Sequence, residues 1–259
     1  MAPPRGGASR TNAVASVAAA KRPKLRREAG EKGHAKALSQ KWAIRLAIEG
    51  DLRFLSHHDV MRATERLLAR AGVPVRYSQG FNPRPAMSLA APRPVGVASQ
   101  DDLLVLTTDQ PITADELLER LNSQALRGMR ALGAEEFSGR PPQPRLMRYR
   151  TPLDAERSAA VRQRIDELSR QASWPVQRRR ESGDQQIDLR PMVAHLEVRQ
   201  QALHMTLTPR DQSWARPSEV LGLLGLDERI DLAATVRTSV ELAGPDGDSA
   251  AASTEETDE

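Results

Sequence analysis

The 259-residue chain has no cysteine, a formal net charge of +4 and an aromatic content of only 3%. Without a thiol it can hold no disulfide, thiolate zinc site, thiolate-bound iron–sulfur cluster or cysteine nucleophile, so any redox chemistry nearby belongs to another polypeptide. No apolar run is long enough to cross a bilayer and the N-terminus lacks the charged-then-apolar order of a secretory signal. The expected location is therefore the cytoplasm, away from any membrane.

The charge is divided sharply along the chain. Residues 1–37 carry nine Lys and Arg against two Glu and read as a disordered basic arm. Such an arm either adds salt-sensitive affinity for a phosphate-rich polymer or serves as a solubilising tail. It has no aromatic residue to stack on bases. From Glu241 to Glu259 there are seven acidic residues and no Lys or Arg, and residues 243–259 read as a disordered acidic tail.

Between these ends the first ordered element is a strand, Lys41–Ile48, which alternates apolar and polar residues and stops at Glu49-Gly50-Asp51. Ser56 followed by Asp59 predicts a capping box at a helix start. Val60, Thr64, Leu67, Leu68 and Ala71 share one face of that helix, and Arg62, Arg66 and Arg70 form a separate stripe. Gly72 ends the helix, Val73-Pro74 leads into a strand at Val75–Ser78, and a loop dense in Pro, Gly, Asn and Arg follows. A strand over Asp102–Thr108, a helix capped by Thr113 with Glu116, and a strand over Met129–Phe137 complete residues 38–139.

Residues 140–145, Arg-Pro-Pro-Gln-Pro-Arg, read as a linker. Residues 146–242 repeat the order more weakly. A strand near Leu146–Thr151 precedes a helix bearing Val161, Ile165, Leu168 and Ala172, and then a hairpin, Trp174–Arg180 with Gln185–Leu189, turning at Ser182-Gly183-Asp184. Strands at His195–Arg199 and Leu203–Thr208, a short helix from Pro217 to Gly225, and a last strand within Ile230–Leu242 follow. The expected fold class is α+β, with two tandem ferredoxin-like halves of βαββαβ type and disordered termini.

Three segments near the first helix are distinctive: Asp51-Leu-Arg-Phe-Leu-Ser-His-His-Asp-Val-Met-Arg62, Tyr77-Ser-Gln-Gly-Phe-Asn-Pro-Arg-Pro85 and Pro94-Val-Gly-Val97. Ile187-Asp-Leu-Arg-Pro191, Arg216-Pro-Ser-Glu-Val-Leu221 and Arg237-Thr238 continue the pattern. In these segments, spread over about residues 41–242, the chain resembles the radical-SAM-linked family, a conserved domain of unknown function. Two positions depart from it: His58 stands for a usual apolar residue, and Arg84 for a usual His. The resemblance implies an accessory role beside a radical SAM protein, with the iron–sulfur cluster and SAM held only by that partner. Its gene neighbourhoods imply RNA or a ribosome-related particle as a second partner.

Two groups of candidate site residues emerge. Arg53, Ser56, His57 and Asp59 surround the start of the first helix. There Ser56 and Asp59 cap while His57 either packs or acts as a ligand or a general acid–base. His57 and Asp59 are two apart, a spacing that does not put both on one helical face, and no metal site is expected. Gln79, Gly80, Phe81, Asn82 and Arg84 form the second group. Gly80 permits close backbone approach, Phe81 can stack on a base, Asn82 donates and accepts, and Arg84 can clamp a phosphate or carboxylate. The alternative is a rigid connection with Phe81 in the core and Arg84 solvated.

Arg53, Arg62, Arg66, Arg70, Arg76 and Arg93 either form a basic surface beside this loop or are simply solvated. Arg178-Arg-Arg180 carries little signal, since a strand alternates its faces, and Asp188 with Arg190 reads either as a fold-stabilising ion pair or as a binding pair. No Gly-rich phosphate loop, nucleophile elbow or His-Glu-x-x-His helix is present. The expected function is an accessory protein of a radical SAM protein that presents an RNA or ribonucleoprotein substrate. The alternatives are an RNA-processing, endoribonuclease-like enzyme using His57 as acid or base, and a purely structural adaptor.

Overall fold

The computed structural model describes residues 39–179, 183–211 and 213–243, all within one compact unit spanning residues 36–259. The expected basic arm, all but the first residue of the acidic tail and the hairpin tip at Ser182 lie outside the described residues. The described residues are α+β, with five α-helices on one mixed sheet and a small separate hairpin. No helix among the described residues is long and apolar enough to cross a membrane.

Strand β1 (Gln40–Ile48) pairs antiparallel with β3 (Ala98–Thr108) and with β4 (Met129–Phe137). The alternation of β1 sends Trp42, Ile44, Leu46 and Ile48 to one face. Helices α1 (His57–Arg70) and α2 (Ala114–Ser123) cover that face with Val60, Leu67, Leu117 and Leu121. A short 3-10 turn, Gly50–Phe54, joins β1 to α1. Gly128 lets the turn before β4 approach it closely: φ there is +89°, and a Cβ would lie 2.6 Å from the Glu49 carbonyl oxygen.

The strand expected at Val75–Ser78 is absent as a continuous element. Val75 and Tyr77 make only isolated bridges, to Thr108 and Pro85, because Pro74, Pro83 and Pro85 supply no backbone N–H. The strand that accompanies β3 is instead β2 (Met87–Leu89), opposite Leu104–Leu106.

Residues 140–143 lead into β5 (Pro144–Pro152), so the last two residues of the expected linker are strand. Helix α3 (Ala155–Ser169) follows, capped by Asp154, and then the two-stranded hairpin of β6 (Pro175–Arg178) and β7 (Gln185–Asp188). Next come β8 (Val193–Arg199) and β9 (Ala202–Leu207), α4 (Pro217–Leu223), α5 (Ile230–Ala234) and β10 (Val236–Leu242). A second apolar cluster, with Met147, Tyr149, Val161, Leu168, Leu203, Met205 and Leu221, lies between α3, α4 and these strands.

The order across the main sheet is β4-β1-β3-β10-β5-β9-β8, with β2 on part of β3. The last strand of the chain is thus central: β10 runs parallel to β3 at Val236–Ala98 and Arg237–Ser99 and antiparallel to β5. Ser99 is level with Ile48 on one side and Arg237 with Tyr149 on the other. Both apolar clusters therefore occupy the same face of one sheet. The opposite face carries a small cluster of Ala43, Leu103 and Val105.

Candidate functional site

The loop after α1 is built from its anchors upward. Arg76 N donates to the Thr107 carbonyl at 2.8 Å and Thr107 N to the Ala86 carbonyl at 3.0 Å, which ties both ends to β3, and Ala86 N donates to the Arg76 carbonyl at 2.7 Å, which joins the ends to each other. Inside that frame Ser78 N donates to the Arg84 carbonyl at 2.8 Å and Arg84 N donates to Ser78 Oγ at 2.9 Å. The result is a narrow projection with Gln79, Gly80, Phe81, Asn82 and Arg84 exposed at its end. Phe81 is 106% exposed, which overturns the expectation that a plain connection would bury it. Among the described residues the Arg84 guanidinium has no hydrogen bond or ion pair. Tyr77, at the base, is 48% exposed.

The other predicted group lies elsewhere. Ser56 caps α1 as expected, with Asp59 N donating to its Oγ at 3.2 Å. The expected reciprocal box does not close: the Asp59 carboxylate accepts the Ser56 hydroxyl at 2.6 Å instead. Thr113 likewise accepts from Glu116 N, but the Glu116 carboxylate pairs with Arg120. His57 is half-buried beside His58, with ring centroids 5.9 Å apart. It lines a cavity of about 10 Å³ with Leu55, Val60, Leu89, Ala91, Arg93 and Asp102, room for roughly one water. Arg53 stacks over Phe54 at 4.7 Å.

The two groups do not form one pocket. The helix start sits level with Asp102 of β3 and the projection springs from Thr107. Five residues of strand separate them, about 17 Å at ~3.3 Å per residue.

Behind His57 is a feature that sequence reading missed. Arg93, expected on the surface, is 8% exposed, and Arg237 and Asp102 are 0% and 3% exposed. Arg237 donates through Nη2 to Asp102 Oδ1 and to the Ala91 carbonyl (2.9 Å), and through Nε to Ser99 Oγ (3.3 Å). Arg93 donates through Nη1 to the carbonyls of Arg53 (2.8 Å) and Val97, and its Nε is 3.8 Å from Asp102 Oδ2. Burial lowers the Arg93 pKa and works against Arg237. Attraction to Asp102 and Tyr149 outweighs it for Arg237, whose pKa is raised. Burial also pushes the Tyr149 hydroxyl up. The cluster ties the Pro94–Val97 segment and the end of the 3-10 turn to β3 and β10.

Arg62, Arg66 and Arg70 remain an exposed stripe on α1. Arg178, passed over in the sequence, is buried and forked onto Glu219, with Nε to Oε1 at 2.7 Å and Nη2 to Oε2 at 2.6 Å. Asp188 and Arg190 form no ion pair. Asp188 Oδ1 accepts the backbone N–H of Trp174 (2.7 Å) and of Arg190 (3.0 Å), while the Arg190 guanidinium lies 5.6 Å from the Trp174 ring centre. Among the described residues no three His, Asp or Glu gather as metal ligands.

The fold and its surface therefore define an α+β protein with a fixed, polar projection and a buried arginine cluster. Residues 41–217 match the family described as uncharacterized protein conserved in bacteria (DUF2344), and the chain belongs to that family. No curated protein matches it. Among solved structures it is similar to a protein described as a glycine cleavage system transcriptional repressor. The identity is 11%, the match covers 72% of this chain and 87% of the other, and the TM-score is 0.23.

Proposed function

We propose that this chain is an accessory protein of a radical SAM protein and presents an RNA or ribonucleoprotein substrate to it, with the projection at residues 77–85 as the recognition element. The single observation that carries this reading is Phe81, wholly exposed at the end of a backbone tied by five main-chain hydrogen-bond donors. A ring presented on so firmly tied a backbone, beside the exposed Tyr77 at its base, offers a ready stacking surface for an unpaired base. Arg84 and Asn82 beside it supply a cation and an amide for phosphate or base edges. The sequence segments that resemble the radical-SAM-linked family support the choice of partner.

We also read each half as ferredoxin-like. The chain order β-α-β-β-α-β and the spatial order β4-β1-β3-β2 support this for the first half. The order β10-β5-β9-β8, with β6 and β7 as an insertion, supports it for the second. No observation favours the alternative in which His57 is an acid–base catalyst, since the cavity it lines has room for about one water.

The test is a titration of the full chain with single-stranded and structured RNA at two salt concentrations, beside a native co-purification. A stacked base contributes about 1–3 kcal/mol, so Phe81→Ala is expected to weaken RNA binding roughly 5- to 150-fold. Its urea midpoint should be unchanged. Salt-insensitive absence of binding to every RNA removes the substrate clause, and absence of a radical SAM protein from gentle pull-downs removes the partner clause. An adaptor that only bridges proteins would keep its partner with Arg84→Ala.

A further inference from the structure

The second half holds a groove of about 930 Å³ that none of the preceding roles uses. Ile165 of α3, Trp174, Ile187 of β7 and Leu196 of β8 give it apolar walls, and Arg190 and Arg210 stand on its rim. Val193, Ala194, His195 and Leu196 all line it. Successive side chains of a strand point to opposite faces, so four consecutive lining residues mean that the groove runs along the strand's edge. Among the described residues that edge is free, because β8 ends the sheet and pairs only with β9. Alternate residues of β8 thus present N–H and C=O groups to the groove beside α3, which packs over the same strands.

The charges select the occupant further. Arg190 lies over the Trp174 ring, 5.6 Å from its centre, and has no carboxylate partner among the described residues. Among the described residues the Arg210 guanidinium meets only Asp211, 3.8 Å away and 94% exposed. The other acidic group on the wall, Asp188, is engaged by two backbone N–H groups. We infer that the groove takes an extended, acidic peptide segment of a partner protein, which adds to the sheet as a further strand beyond β8. Its backbone pairs with Val193–Arg199, alternate apolar side chains enter between α3 and β7, and its carboxylates meet Arg190 and Arg210. This site is separate from the projection and does not depend on what the projection binds.

The probe is a fluorescein-labelled octapeptide alternating Glu with Val or Leu, titrated into the full chain by fluorescence anisotropy and followed by amide hydrogen exchange. Saturable binding is expected, with new protection confined to Val193–Arg199. A Lys-for-Glu version of the peptide should bind at least tenfold more weakly, as should the acidic peptide to Arg190→Glu or Arg210→Glu chains of unchanged circular dichroism. Methylating alternate peptide amide nitrogens should abolish binding. The proposal is overturned by no binding, by equal binding of the basic peptide, by protection elsewhere, or by full affinity in both charge-reversal variants. A chain ending at Ala243 that binds the peptide at least tenfold more tightly than the full chain would also overturn it, assigning the groove to the chain's own acidic tail.

Discussion

Arg237 is a wholly buried guanidinium beside a core made largely of Leu, Val, Ile, Ala and Met. Such a charge persists only when paired and hydrogen-bonded, and Asp102 is the single carboxylate shared by Arg237 and Arg93. Asp102→Asn leaves two cations facing each other without an anion and is expected to destabilise the fold by about 3–5 kcal/mol in urea denaturation. A loss below ~1 kcal/mol would mean that the backbone carbonyls alone hold the arginines.

His204 of β9 is a second residue with a measurable signature. Desolvation first, then Arg199 and Arg150, lowers its pKa, against the opposing pull of Glu197. These groups face it from both neighbouring strands, since Arg150 and Glu197 are its register partners. A depressed folded pKa means that the unfolded chain takes up the proton first. Stability from this group is therefore full above the unfolded value, about 6.5, and is lost as pH falls from there through the lower folded value. The urea midpoint of the native chain is expected to drop more between pH 7.5 and 5.5 than that of His204→Gln. Identical drops would remove His204 from the acid sensitivity.

Glu219 does two jobs at the start of α4. Its carboxylate accepts the Arg216 N–H at 2.8 Å, satisfying a free helix-end donor, and grips the buried Arg178 of β6. The β6–β7 hairpin, outside the main sheet, is thereby pinned to a helix. Glu219→Gln keeps the size but leaves Arg178 without its counter-charge. The expected loss is about 3 kcal/mol or more, with hydrogen exchange in β6 and α4 accelerating together. If only α4 responds, the hairpin is held by Trp174 and Asp188 instead.

Legibility divides at this same scale. Helix α1 could be read because its signals are local: Ser56 and Asp59 at its start, an apolar stripe, and Gly72, at φ +59°, just past its end. Arg93 and Arg178 could not be read, since an arginine looks the same in sequence whether it faces water or a carboxylate many residues away. The projection was legible as a concentration of Gly, Pro, Asn and Arg, but its separation from His57 was not. That distance is set by the register of β2 on β3, and Pro74, Pro83 and Pro85 had concealed where the strand would form.

At the scale of the molecule, β3 and β10 join strands from the two ends of the sequence into one sheet, and Arg237 crosses that junction to Asp102 and Ser99. Nothing local predicts this, because parallel pairing between residues 98–99 and 236–237 leaves no pattern in either segment alone. A continuous sheet with a shared buried charge should unfold as one cooperative unit. Trp42 reports the first apolar cluster, whereas Trp174 and Trp214 report the second. Within a variant retaining only Trp42, and within one retaining only the other two, fluorescence and far-ultraviolet circular dichroism are expected to give the same urea midpoint. Midpoints separated by more than the fitting error would show that the junction does not couple the halves.

The central seat of β10 has a further consequence during synthesis. One flank of β3 at Ala98–Ser99 cannot be closed until a strand starting at Val236 has been translated. At roughly 5–20 residues per second, that flank stays open on the ribosome for about 7–30 s, with Asp102 facing Arg93 but not yet Arg237. Nascent chains stalled before Val236 are thus the species in which that border, with the Arg45–Asp101 pair beside it, is open to other polypeptides.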